Sequence, residues 1–78
     1  MINYDSWMQN YVIENKISDF RCKKGLSRKQ FGEVVGLSEK SISALERGSV
    51  VPTVTFAYFL VSFFEVPFDE LFILRRKQ

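Results

Sequence analysis

The 78-residue sequence contains no histidine and only one cysteine, Cys22. Without histidine there is neither an imidazole base nor a serine triad, so the commonest acid–base and nucleophilic sites are excluded. A lone cysteine forms neither an internal disulfide nor a cysteine-cluster zinc site. We therefore expect no enzyme activity, no cofactor and no metal. Nothing in the composition calls for an oxidising compartment, which makes a cytoplasmic location the default.

Long hydrophobic runs are also missing. The longest apolar stretch, residues 50–64, is interrupted by Pro52 and by hydroxyl side chains. A membrane-spanning helix needs about 20 apolar residues. The N-terminus has no basic lead-in followed by an apolar run, as a signal peptide would have. We expect no membrane partner.

Charge is distributed unevenly along the chain, although the net charge is only +2. Residues 16–48 carry eight basic and four acidic side chains, whereas residues 49–74 carry three acidic and no basic ones. A polyanion would therefore bind the middle of the chain. The alternative is that these basic residues form a solvated helix face.

Glycine and proline divide the chain into segments whose apolar residues are spaced by three and four, which is helical spacing. The sequence thus predicts an all-α fold of five helices in one domain, with a core over about 10–74, an N-terminal extension over 1–9 and a basic, solubilising tail over 75–78. The helices are expected at 10–24, 28–35, 39–47, 54–64 and, as a short fifth helix, 67–74. The residues predicted to face the core are Ile13, Ile17, Phe20, Phe31, Val34, Val35, Ile42, Leu45, Val54, Ala57, Val61, Phe64 and Leu71.

The second and third predicted helices are short and are joined by a three-residue turn, which is the arrangement of a helix-turn-helix. Ser27 and Ser38 are suitable N-caps for the two helices. Gly36 suits the positive φ of the turn, and Gly32 is small where the helices cross. The outer face of the second helix of the pair is left polar.

The spacing of these residues resembles the Xre-type, lambda-repressor-like (Cro/CI) helix-turn-helix family of transcriptional regulators. The resemblance covers about residues 13–74, and Phe31 and Gly32 replace the family's usual Leu-Ala. The matching positions are Arg21, Gly25, Leu26, Ser27, Phe31, Gly32, Gly36, Leu37, Ser38, Ile42, Ser43, Glu46, Gly48 and Pro52, followed by Pro67-Phe68-Asp69-Glu70-Leu71-Phe72.

The resemblance implies that helix 39–47 enters the major groove of double-stranded DNA and that its first residues reach base edges. The implied base-reading residues are Glu39, Lys40, Ser41 and Ala44. The implied phosphate contacts are Ser27, Arg28, Lys29, Ser43, Arg47 and Ser49, each with a solvent-facing alternative. Glu39 stands where the family usually has a neutral polar residue, and its alternative role is to pair with the helix dipole. Arg21 and Glu46 are implied to form a structural ion pair.

The back half of the chain is rich in aromatic residues beyond what a core needs. Phe56, Phe59 and Phe63 form a second apolar stripe on the fourth predicted helix. An exposed apolar patch usually marks an interface, so we expect a homodimer through this region. The predicted interface residues are Phe56, Phe59, Phe63, Phe68, Phe72 and Ile73. The alternative is that the N-terminal segment, with Trp7, Met8 and Tyr11, folds over the stripe within one chain.

The sequence therefore predicts a sequence-specific DNA-binding transcriptional regulator of bacterial or phage type, a homodimeric repressor or controller that reads a palindromic operator. Family members with this layout include phage repressors, restriction–modification controllers and antitoxins. The alternative is a protein-interaction module or antitoxin whose aromatic face binds a protein partner.

Overall fold

The computed structural model describes residues 2–78, which form six α-helices and a two-stranded antiparallel sheet. The elements in chain order are α1 (Tyr4–Asn10), β1 (Tyr11–Asn15), α2 (Ile17–Lys23), α3 (Arg28–Val35), α4 (Glu39–Glu46), α5 (Val54–Phe64), α6 (Phe68–Leu71) and β2 (Phe72–Arg76). The prediction of an all-α, five-helix fold is therefore wrong. Nowhere within 2–78 is a helix long and apolar enough to cross a bilayer.

The predicted first helix, 10–24, is in fact a helix end, a strand and a second helix. The side chain of Asn15 ends the strand. Its amide donates to the carbonyl of Leu45 at 3.0 Å, and its Oδ1 accepts from the backbone N–H of Ile17 at 3.2 Å. The backbone therefore turns at Asn15, and helical structure starts again at Ile17.

The predicted fifth helix, 67–74, is reduced to the single turn of α6, because Phe72–Arg76 form β2 and pair with β1. Tyr11 is opposite Arg76, Ile13 opposite Leu74 and Asn15 opposite Phe72. Since side chains alternate along a strand, these six residues share one face of the ribbon. We call it the apolar ribbon face, because only Asn15 and Arg76, at its two ends, are polar. Two of the three basic tail residues, Arg75 and Arg76, therefore lie in a strand.

The opposite face of the ribbon carries Val12, Glu14, Ile73 and Arg75. Glu14 accepts from Arg75 Nε at 2.6 Å and lies 3.1 Å from the Lys16 ammonium. These pairs hold the pKa of Glu14 below its usual range, chiefly through the hydrogen bond from Lys16 and then that from Arg75. The ribbon therefore has one ion-paired face and one apolar face.

The core lies among α2 to α6. Its fully buried side chains are Ile17, Phe31, Ile42, Leu60 and Leu71, and Leu45, Ala57, Phe64 and Phe72 pack with them. Leu60 was not among the predicted core residues.

Three residues predicted to face the core are instead exposed. Ile13 is 54% exposed because it lies in a strand and not on a helix that packs against the core. Val34 and Val54 are 58% and 74% exposed, respectively. Val34 lies in the last turn of α3, and Val54 lies at the first position of α5, so both residues are at helix ends.

Candidate nucleic-acid interface

Local side-chain caps determine the residues at which α3 and α4 begin. Ser27 Oγ accepts from the backbone N–H of Gln30 at 3.1 Å, and the Gln30 side chain accepts from the Ser27 N–H at 2.9 Å, which completes a capping box. Ser38 caps α4 by accepting from the Ser41 N–H at 3.1 Å. Gly36 ends α3 at a φ of 85°. Both helices therefore begin where the sequence predicts.

Close packing at Gly32 fixes the turn between the two helices. The N–H groups of Gly36 and Leu37 both donate to the Gly32 carbonyl at 2.8 Å. A Cβ on Gly32 would lie 2.4 Å from the carbonyl oxygen of Leu37, which is well inside contact distance. The glycine allows the turn to fold back onto α3.

Three of the four residues predicted to read bases, Lys40, Ser41 and Ala44, lie along one side of α4. Glu39, Lys40 and Ser41 are exposed, and Ala44 is half-buried. The buried Ile42 and Leu45 anchor the opposite side of the helix to the core. Lys40, Ser41 and Ala44 border an open depression of about 500 Å³, whose other wall includes Val50, Val51 and Phe56.

At the last residue of α4, one buried carboxylate binds two guanidinium groups. The Glu46 side chain is 4% exposed. Arg21 Nε lies 2.6 Å from Glu46 Oε2, and Arg28 Nε lies 2.9 Å from Glu46 Oε1. Arg21 is itself buried and also donates to the Leu26 carbonyl at 2.8 Å. The hydrogen bond to Glu46 is the main reason that the pKa of Arg21 is raised.

Arg28 belongs to this cluster as well as to the predicted phosphate set. Its side chain is half-exposed at the first position of α3, and its Nε is bound by Glu46. The family resemblance implied the pair between Glu46 and Arg21, and the contact of Glu46 with Arg28 was missed. The cluster links α2, α3 and α4, so it holds α3 in a fixed position against α4. The first predicted phosphate residues lie at the start of α3, and the predicted base-reading residues lie on α4.

The remaining predicted phosphate residues form two groups. Ser27 and Lys29 flank Arg28 at the start of α3. Arg47 and Ser49 lie just beyond the end of α4, and Ser43 lies one turn earlier, where its Oγ accepts from Arg47 Nη1 at 2.7 Å.

Five of the six predicted interface residues lie in two separate aromatic groups, and the sixth, Ile73, lies in β2. In the first group, Phe59 lies between Phe56 and Phe63, with ring centroids 5.6 and 6.2 Å apart. In the second, Phe68 lies between Tyr58 and Phe72. Phe59 and Phe68 are each 43% exposed and Phe72 is buried. Phe56, Phe63 and Ile73 are half-buried.

The N-terminal segment does not line the same surface as the first group. Trp7 stacks on Tyr11 at a centroid distance of 5.3 Å. It lines a groove that also contains Tyr58 and Phe68, and this groove includes neither Phe59 nor Phe63.

Comparison with known proteins agrees with this arrangement of α3 and α4. The Helix-turn-helix family model matches residues 17–71, which is most of the chain. The chain belongs to the Xre-type helix-turn-helix family. This is a family of DNA-binding transcriptional regulators, and the match spans α2 to α6.

Individual relatives match over most of their length. The uncharacterised HTH-type transcriptional regulator YgzD of Bacillus subtilis is 28% identical over 65 residues, which is 83% of this chain and 98% of that protein. An uncharacterised HTH-type transcriptional regulator of Archaeoglobus fulgidus is 30% identical over 61 residues, 78% of this chain and 87% of the relative. The crystal structure of a candidate DNA-binding protein from Bacteroides fragilis aligns with a TM-score of 0.67 at 20% identity, covering 78% of this chain and 98% of that one. That structure supports the fold alone.

Proposed function

We propose that the chain is a sequence-specific transcriptional regulator of the cytoplasm, a homodimeric repressor or controller that reads a palindromic operator in double-stranded DNA. The observation that carries the proposal is the polar outer side of α4 in a chain that belongs to this family. The close crossing at Gly32 and the Glu46 cluster fix the position of α4 against α3.

In this proposal α4 enters the major groove and its exposed residues read base edges. Lys40 donates to guanine O6 or N7, and the Ser41 hydroxyl serves either a donor or an acceptor edge. Ala44 contacts a thymine methyl group. Glu39 lies in the first turn of α4, where its carboxylate either accepts from cytosine N4 or pairs with the helix dipole.

Phosphate binding comes from the two polar groups that flank the base-reading side of α4. Arg28 contacts a phosphate through the part of its guanidinium that Glu46 does not bind, with Ser27 and Lys29 beside it at the N-terminus of α3. At the C-terminal end of α4, the DNA backbone is contacted by Ser43, Arg47 and Ser49. The Glu46 carboxylate thereby holds Arg28 in position.

The test is an anisotropy titration with labelled duplex from upstream of the gene for this protein, against a scrambled duplex, at several salt concentrations. We expect binding at least ~10³ tighter to the upstream duplex. Weak and equal binding to both duplexes would contradict sequence-specific recognition.

Two variants separate base reading from phosphate binding. Lys40→Ala is expected to cost about 1–3 kcal/mol on the operator and to relax specificity. Arg28→Ala is expected to weaken binding to all sequences alike and to lower the salt slope by about one. Lys77→Ala, which removes one positive charge from the C-terminal end, is the matched control. An Arg28→Ala slope equal to that of the control would place Arg28 away from phosphate.

The exposed aromatic residues favour one second candidate, a protein-interaction module or antitoxin. Phe59 and Phe68 would then contact a protein partner. Weak binding to both duplexes, together with a monomeric chain, is the outcome that favours this function.

A further inference from the structure

The single chain exposes more surface than a stable monomer of its size. Its accessible surface is 5806 Å², whereas a folded 9.1 kDa monomer exposes roughly 4,900 Å². The shape is also elongated, with extents of 43 × 24 × 24 Å. The surplus of about 900 Å² is close to the ~800 Å² that each partner buries in a standard protein interface.

Part of the exposed apolar surface lies on α1. Trp7 and Met8 lie three and four residues after Tyr4 on this helix, and Tyr11, four residues after Trp7, continues the stripe. No residue of α1 is buried, and Tyr4 and Met8 are 70% and 45% exposed. Asn3 caps the helix with hydrogen bonds to Asp5 and Ser6, so the stripe is presented on a formed helix. An amphipathic helix of this kind ordinarily packs its apolar stripe against another element.

A groove adjoins this stripe, and we call it the arm groove. It holds about 540 Å³. Trp7, Ile13 and Leu74 line it from an arm that consists of α1 and the two-stranded ribbon. Tyr58, Phe68 and Phe72 line it from α5, α6 and the start of β2. The apolar ribbon face supplies Ile13, Leu74 and Phe72, so this face and the groove form one continuous surface.

We infer that the arm groove is the dimer interface and that its occupant is a second copy of this chain. The surplus area matches one side of such an interface, and a two-fold dimer uses the same surface on both partners. The α1 stripe of each copy packs into the groove of the other. This inference rests on the homodimer in the proposed function and names its surface.

Charge at the two ends of the groove supports a second copy as the occupant. Asp69 and Glu70 are exposed on α6, near the Phe68 end. Arg76 is exposed at the other end, opposite Tyr11, on which Trp7 stacks. A two-fold axis through the middle of the groove exchanges its ends, so the acidic end of one copy faces the basic end of its partner.

The other apolar surface, around Phe59, is already largely used within the chain. Phe63 packs against the buried Phe31 at a centroid distance of 5.6 Å, and Phe56 also packs against the core. Only Phe59 of that stripe is exposed. The arm groove retains Phe68 and Phe72 from the interface that the sequence predicts.

The test compares neighbouring strand residues that point to opposite faces. Ile13→Glu places a carboxylate in the arm groove, and Val12→Glu places one on the ion-paired face of the same strand. The two positions are 54% and 47% exposed, so their substitutions are closely matched. Met8→Glu on α1 is a second interface variant that leaves the ribbon intact. Sedimentation velocity without DNA gives the oligomeric state, and circular dichroism verifies that each variant is folded.

We expect the parent chain and Val12→Glu to sediment at twice the 9.1 kDa chain mass. Ile13→Glu and Met8→Glu are expected to raise the dimer dissociation constant at least ~10-fold. A monomeric parent chain overturns the inference. The inference is also overturned if Phe59→Glu dissociates the dimer while Ile13→Glu and Met8→Glu remain dimeric. If Ile13→Glu is unfolded, Met8→Glu decides. A dimer that follows this pattern and yet binds no operator leaves the interface standing and contradicts only the proposed function.

Discussion

Glu46 holds together residues from three helices, because its buried carboxylate binds Arg21 from α2 and Arg28 from α3. We expect Glu46→Gln to destabilise the fold by about 3 kcal/mol, since it leaves the buried Arg21 guanidinium without its counter-charge. Urea unfolding measures the change. Glu39→Gln on the exposed first turn of the same helix is the control and should stay within about 0.5 kcal/mol. Equal effects of the two substitutions would show that the buried pair contributes no more than a surface charge.

Gly32 provides a second prediction at this scale. Alanine is ordinarily favoured over glycine inside a helix by about 1 kcal/mol. Here its Cβ would lie 2.4 Å from the backbone oxygen of Leu37, so the turn itself would have to move. We expect Gly32→Ala to destabilise the chain by about 1–3 kcal/mol in urea unfolding. Glu33→Ala, on the exposed side of the same helix, controls for helix propensity. If the Gly32→Ala chain were as stable as the parent, the turn would move away from the added Cβ at little cost in free energy.

Single residues were predictable where their partners are close in sequence. The caps Ser27 and Ser38 bind backbone three residues away, so the sequence pattern contains both members of each bond. The contact of Arg28 with Glu46 joins residues 18 apart and depends on how α3 and α4 cross. That contact was therefore missed, although both residues had been singled out.

At the scale of elements, α3 and α4 were predicted to within one residue, whereas the ribbon was missed. Ile13, Ile17 and Phe20 are spaced by four and three, which fits a helix, and no local signal contradicts that pattern. The strand forms because β1 pairs with residues about 60 positions later, and because Asn15 bonds to Leu45. Both causes are non-local, so periodicity alone favoured the wrong element.

The ribbon's ion pairs give a prediction about pH. Lys16 and Arg75 lower the pKa of Glu14 in the folded chain, so this carboxylate stabilises the fold above its usual pKa. The stabilisation is lost as the pH falls through the lowered folded value. We expect the melting temperature of the parent chain to fall more than that of Glu14→Gln between about pH 6 and pH 3. Carboxyl NMR should show Glu14 titrating below its ordinary range, and an ordinary value would contradict the pairing.

At the scale of the whole molecule, the arm groove and the predicted base-reading side of α4 are neighbours. Val51 and Pro52 line both the arm groove and the depression beside Lys40. A dimer formed across the groove therefore involves the surface next to α4 of each copy, the helix proposed to read bases. Two such helices spaced about 34 Å apart would read half-sites one turn of DNA apart.

This coupling predicts how an interface variant behaves on DNA. We expect Ile13→Glu to bind a palindromic operator about 10²-fold more weakly, because two linked half-sites become two independent ones. Its affinity for a single half-site should be unchanged, since Ile13 lies in β1, outside the α3–α4 pair. Anisotropy titrations on both duplexes measure the two affinities, and Val12→Glu should match the parent chain on each. Equal losses on both duplexes would mean that the substitution disturbs α4 itself. An unchanged affinity for the palindrome would mean that the half-sites are bound without dimer contact through the arm groove.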